Sequence, residues 1–133
     1  MEIPYDFDEF IACLNLDPSG DKDANFHRNA YFAQCEAYDL VIFIYSASQV
    51  LVWPQCDQTS AVNALSLIKF TLTPSKTRLL HVLQGKLNAV GYRDIRSSIK
   101  ETLIEQIISE NEIIRALSST CIALIVRIEG DSS

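Results

Sequence analysis

Apolar side chains along this chain fall into blocks, most of them with helical spacing. Phe7, Phe10, Ile11 and Leu14 recur at three- and four-residue intervals and predict a short helix over residues 4–16. The cluster Asp17-Pro18-Ser19-Gly20-Asp21 ends it as a turn. A second helix begins near Asn25 and carries Phe26, Ala30, Ala33 and Ala37 along one face.

Residues 40–73 allow two readings. Val41 to Tyr45 and Val50 to Trp53 are rich in the β-branched and aromatic residues that strands favour, and Ser46-Ala47-Ser48-Gln49 can turn a hairpin between them. A helix buried on all sides fits the same residues, because a continuous apolar run has no diagnostic period. Ile68, Phe70 and Leu72 alternate with Lys69, Thr71 and Thr73, yet Thr59 or Ser60 can cap a helix reaching Leu72, and Pro74 stops either element. We take the helical reading as primary. The alternative is an α+β fold with a small antiparallel sheet from residues 40–73.

The last third is plainer. Ser75 can cap a helix to about Val90, with Leu79, Leu80, Leu83, Leu87 and Val90 on one stripe and Gly91 at its end. Asp94 is placed to cap the next, whose Ile95, Ile99, Leu103 and Ile107 follow i+4 spacing and are joined by Ile104 and Ile108. Ser109-Glu110-Asn111-Glu112 fits a capping box for a final helix carrying Ile113, Ile114, Leu117, Cys121, Leu124, Ile125 and Ile128. So short a link predicts an antiparallel helix pair, with Leu103 and Leu117 in its seam.

The stretch from Glu110 to Ile128 opens on an acidic turn, continues with the pair Ile114-Arg115, then alternates small and aliphatic residues from Ala116 to Ala123. It resembles a HEAT or armadillo repeat helix. With the preceding segment, residues 78–128 are loosely similar to the amino-terminal repeats of importin-β-type transport receptors. The resemblance implies stacked antiparallel helix pairs, a short HEAT-like stack, and a scaffold that grips a protein partner on an exposed face.

A chain of 133 residues with 48% apolar and 21% charged residues has the size and composition of one mainly α-helical globular domain spanning residues 1–133. The acidic start has no basic n-region followed by an apolar core, which argues against a secretory or transit signal. The 14 residues from Leu40 to Trp53 fall short of the roughly 20 needed to cross a bilayer. Cys13, Cys35, Cys56 and Cys121 form no close pair and read as small hydrophobes with free thiols. An intracellular protein, cytoplasmic or nucleocytoplasmic, with no membrane association is expected.

Charge changes the picture more than composition does. Residues 1–39 carry a net −7, residues 40–100 a net +5 and residues 101–133 a net −4, within a total of −6. In the basic stretch, Lys86, Arg93, Arg96 and Lys100 are the candidate partner-binding residues. Arg96 and Lys100 each follow the apolar stripe by one position, about 100° round the helix, at the border of its exposed face. Nucleic acid is a poor match for so acidic a chain with few aromatics among its cations.

Constellations for other chemistry fail on spacing. A calcium loop begun at Asp21, Asp23 and Asn25 needs Gly and Glu where Phe26 and Phe32 stand. His27 and His81, the two histidines, have no partner at metal-ligand spacing. Neither a glycine-rich phosphate loop nor a nucleophile elbow is present. No catalytic, metal or cofactor residue is assigned, and none of these is expected. The chain reads as a non-catalytic protein–protein interaction module (adaptor, scaffold or assembly subunit). The alternative is a small acidic regulator that blocks a basic partner through its amino-terminal carboxylates.

Overall fold

The computed structural model describes residues 5–16, 22–73, 85 and 89–130. These hold six α-helices: α1 (Phe7–Leu14), α2 (Lys22–Tyr38), α3 (Leu40–Leu51), α4 (Gln58–Leu72), α5 (Arg93–Glu105) and α6 (Glu112–Gly130). Short 3-10 turns span Val90–Tyr92 and Gln106–Ile108. The fold is mainly α. Of the helix expected over residues 75–90, with its Leu79–Val90 stripe, all but residues 85, 89 and 90 lie outside the described residues.

The sheet alternative for residues 40–73 is overturned, since Leu40–Leu51 and Gln58–Leu72 are helical and no strand occurs among the described residues. Asp39 caps α3, its carboxylate accepting from the amides of Val41 at 2.9 Å and Ile42 at 3.2 Å. Nine of the 12 residues of α3 are buried, so it is enclosed on nearly every side. Its two buried serines stay satisfied within the helix, Ser46 donating to the Ile42 carbonyl at 2.8 Å and Ser48 to that of Tyr45 at 2.6 Å. Burial against neighbours on all sides outweighs the strand preference of the β-branched run. Asp57, rather than Thr59 or Ser60, caps α4 through a 2.7 Å bond from the Ser60 amide. Thr73 takes the extended conformation that a following proline imposes.

The central position belongs to α3 and α4. Helix α3 packs on α2, α4 and α5, while α4 packs on α1, α3 and α6. The buried apolar residues of all six helices form one cluster. At the amino-terminal side Phe10, Phe32 and Phe43 meet edge to face with ring centroids 5.4–6.0 Å apart, and Tyr5 stacks on Phe10 at 5.9 Å. The Tyr5 hydroxyl lies 2.7 Å from Ser46 Oγ and ties this cluster to α3. At the other side Ile95, Ile99 and Leu103 of α5 and Ile114, Cys121, Ile125 and Ile128 of α6 close the core.

Three further expectations need correction. The face of α2 bearing Phe26, Ala30, Ala33 and Ala37 is exposed; Phe32 and Cys35 are its buried residues. Asp94 does not cap α5: Tyr92 stands at the cap with no side-chain bond, and Asp94 lies in the first turn. The capping box at 109–112 is replaced by Asn111, whose side chain accepts from the amides of Ile113 at 2.9 Å and Ile114 at 3.2 Å. A short Asn side chain next to the helix start reaches those amides without help from Glu112.

Candidate functional site

The residues that stand out are isoleucines that the fold fails to cover. On α5 the buried side comprises Ile95, Ile99, Thr102 and Leu103. At 100° per residue, Ile104 points roughly 150° from the middle of that side. After Glu105 the chain tightens into the 3-10 turn, and Ile107 and Ile108 do not continue the buried stripe. The outcome is Ile104 at 55% exposure, Ile108 at 87% and, in the first turn of α6, Ile113 at 59%, with Ile107 also exposed. The turn packs against both helices, so the four isoleucines share one corner of the molecule.

Hydrogen bonds brace this corner. Arg115 Nη1 donates to the Ser109 carbonyl at 2.7 Å, the Ser109 amide to the Gln106 carbonyl at 3.1 Å, and the Asn111 amide to Ser109 Oγ at 3.2 Å. A preorganised apolar surface loses little entropy on docking. Around it stand Glu101, Glu105, Glu110 and Glu112, all exposed. Glu101 and Glu105 are four apart in the last two turns of α5, a like-charge spacing that weakens a helix. The negative end of the helix dipole adds to the cost, and no basic residue in the last turn offsets it.

The structure describes three of the four predicted partner-binding cations, and they differ in exposure. Lys86 lies outside the described residues. Arg93 is exposed and Lys100 half-buried. Arg96 is half-buried with a buried Nε, and it lines a narrow apolar cleft with Ile44, Leu72, Ile99 and Ile125. Its stem therefore packs on the core, as long cationic side chains often do.

Comparison with known protein families, with characterised proteins and with solved structures finds no match. The functional reading therefore rests on the molecule's own geometry.

A second opening, a groove of about 580 Å³, runs between α2 and α4 over Phe32, Ala33, Leu67 and Phe70. Arg28 at its edge is already engaged, with Nε donating to the Cys13 carbonyl at 3.1 Å and the guanidinium over the Phe32 ring at 5.1 Å. Groups with shifted proton affinity lie elsewhere. Burial pushes the Cys35 thiol up to about 11 and that of Cys121 to about 12, and raises the Tyr5 phenol. A hydrogen bond to the buried Asp39 carboxylate raises Tyr92 and ties the start of α5 to the head of α3. None of these five residues lines the α2–α4 groove. Among the described residues no group of three His, Cys, Asp or Glu side chains is placed to hold a metal, and no helix is long and apolar enough to cross a membrane.

Sequence reasoning placed Ile104, Ile107 and Ile108 on the apolar side of the helix and did not single out the corner. The available signal was an apolar stripe too broad for one helix–helix seam, next to two glutamates at a helix carboxy-terminus.

Proposed function

We propose that this chain is a non-catalytic protein–protein interaction module that docks through the α5–α6 corner. The observation that carries the reading is the exposure of Ile104, Ile107, Ile108 and Ile113 on and beside the hydrogen-bonded turn that joins α5 to α6. Clustered exposed apolar side chains rimmed by polar ones mark interaction surfaces, whereas single ones are ordinary. The non-catalytic part is supported by Tyr5, Cys35 and Cys121, whose shifted proton affinities belong to core packing rather than to an open cleft. A HEAT-like arrangement belongs to the same proposal, supported by the stacking of α3 on α4 and α5 and of α4 on α6. So does a cytoplasmic or nucleocytoplasmic setting, supported by four free thiols. Nucleic acid fits the corner poorly, because its four carboxylates repel phosphate.

The test is affinity capture from cells of the source organism, using wild type, Ile108→Asp and Gln55→Asp as an exposed control. The reading expects a defined set of proteins held by wild type and the control and lost with Ile108→Asp, at an unchanged melting temperature. Capture undiminished by Ile108→Asp overturns it.

A further inference from the structure

We infer that the occupant of the α5–α6 corner is a cationic amphipathic helix of a partner protein; this rests on the docking reading above and adds the chemistry of the partner. Ile104 on the open side of α5 and Ile108 in the 3-10 turn beyond it form a short exposed apolar ridge at the helix end. Projecting apolar side chains of one helix pack into the grooves of another. Ile107 and Ile113 widen the apolar contact across the turn.

Charge complementarity sets the sign of the partner's flanks. Glu101 and Glu105 flank the ridge, Glu110 lies in the link and Glu112 opens α6. Among the described residues no cation pairs with any of the four. Arg115, the base nearest in sequence to Glu110 and Glu112, donates to the Ser109 carbonyl. Lysines or arginines beside the partner's apolar stripe would relieve the Glu101–Glu105 repulsion and offset the helix-end charge at once. A carboxylate-bearing partner would add to both. The same argument disfavours a second copy docked corner to corner, which would set the four glutamates against their own counterparts.

The experiment uses the full chain and three synthetic helical peptides of about 18 residues, long enough to hold several turns. One carries leucines on one face with lysines beside them. The second has the same residues scrambled so that no apolar face forms. In the third, glutamates replace the lysines. Binding is read by fluorescence anisotropy and mapped by backbone amide shifts. The leucine–lysine peptide is expected to bind, with shifts concentrated over residues 101–115 and affinity falling as ionic strength rises from about 0.05 to 0.5 M. Affinity is expected to drop about tenfold or more for Ile108→Asp and several-fold for Glu101→Gln with Glu105→Gln. Equal binding of the scrambled or the glutamate peptide, shifts centred elsewhere, or no binding at millimolar peptide overturns the proposal. Sedimentation of the chain alone is expected to show a monomer; a dimer that Ile108→Asp dissolves assigns the corner to a second copy and overturns it too. If capture from cells is lost with Ile108→Asp while the peptides fail, the docking reading stands and the partner's chemistry is wrong. If capture persists, the docking reading itself falls.

Discussion

Helix α3 and the end of α5 are made of similar material and meet opposite fates. Val41, Phe43, Ile44, Val50 and Leu51 are buried, whereas Ile104, Ile107 and Ile108 face solvent. Both segments are aliphatic, and both contain apolar residues on more than one side. The difference lies in their neighbours. Helix α3 lies among α2, α4 and α5, so nearly every side finds apolar surface. The last turns of α5 are covered on one side only, and the 3-10 turn carries Ile107 and Ile108 away from the core. Apolar character names the candidates for burial, and the available neighbours choose among them.

The strongest way to break this comparison is to cut one large side chain from each region. Phe43→Ala removes a fully buried ring from the aromatic triangle and should cost about 3–5 kcal/mol in urea melts. Ile108→Ala at the exposed corner should cost under about 0.5 kcal/mol. Similar losses at both sites would abolish the distinction between them.

Within the carboxy-terminal pair the contrast should persist on a smaller scale. Leu103 is fully buried, so Leu103→Ala should cost about 2–5 kcal/mol. Leu117, expected in the same seam, is half-buried; Leu117→Ala should cost about 1–2 kcal/mol. Equal losses would put Leu117 in the seam after all.

Arg96→Glu with Lys100→Glu, which border placement on α5 would leave harmless, should now lower the melting temperature. Arg96 packs into the cleft beside Ile99, and a carboxylate there meets apolar walls. An unchanged melting temperature would show that its stem is dispensable to the core.

Alkaline pH should separate the interior from the corner more gently. Burial raises the Cys35 and Cys121 thiols above their ordinary 9.0, and the Tyr5 and Tyr31 phenols above 10.0. The folded chain then holds protons that the unfolded chain releases, so stability is complete below pH 9.0 and declines as pH climbs toward the folded values of about 11 and 12. Melts from neutral to alkaline pH should show this fall, less steeply in Cys121→Ala. Ile108 carries no titratable group, so the same fall should be seen in Ile108→Ala.

The smallest effect is expected at Ser118, fully buried with no hydrogen-bond partner for its hydroxyl among the described residues. Ser118→Ala should be neutral or stabilising by about 1 kcal/mol, because it removes an unsatisfied polar atom without opening a large cavity. A clear loss would mean that the hydroxyl finds a partner in solution.

Much of the architecture follows from the chain order of residues alone. The spacing of Phe7, Phe10, Ile11 and Leu14 sets α1, and that of Ile95, Ile99 and Leu103 sets the buried side of α5, because a period near 3.6 aligns them on one helix face. The extended Thr73 at the end of α4 is set by the sterics of the proline that follows it in sequence, which need no tertiary partner. The choice of helix over strand for residues 40–51 was open in sequence, since an unbroken apolar run is compatible with both. Enclosure by α2, α4 and α5 settled it. Long-range packing also decided that Phe26, Ala30, Ala33 and Ala37 lie outside while Phe32 and Cys35 lie inside, for a helix has one side to give and its neighbours determine which. The uncovered isoleucines belong to the same class of decision. Their apolar character is a property of the residues, but their exposure depends on how far α3 and α6 reach along α5, which only the assembled structure contains.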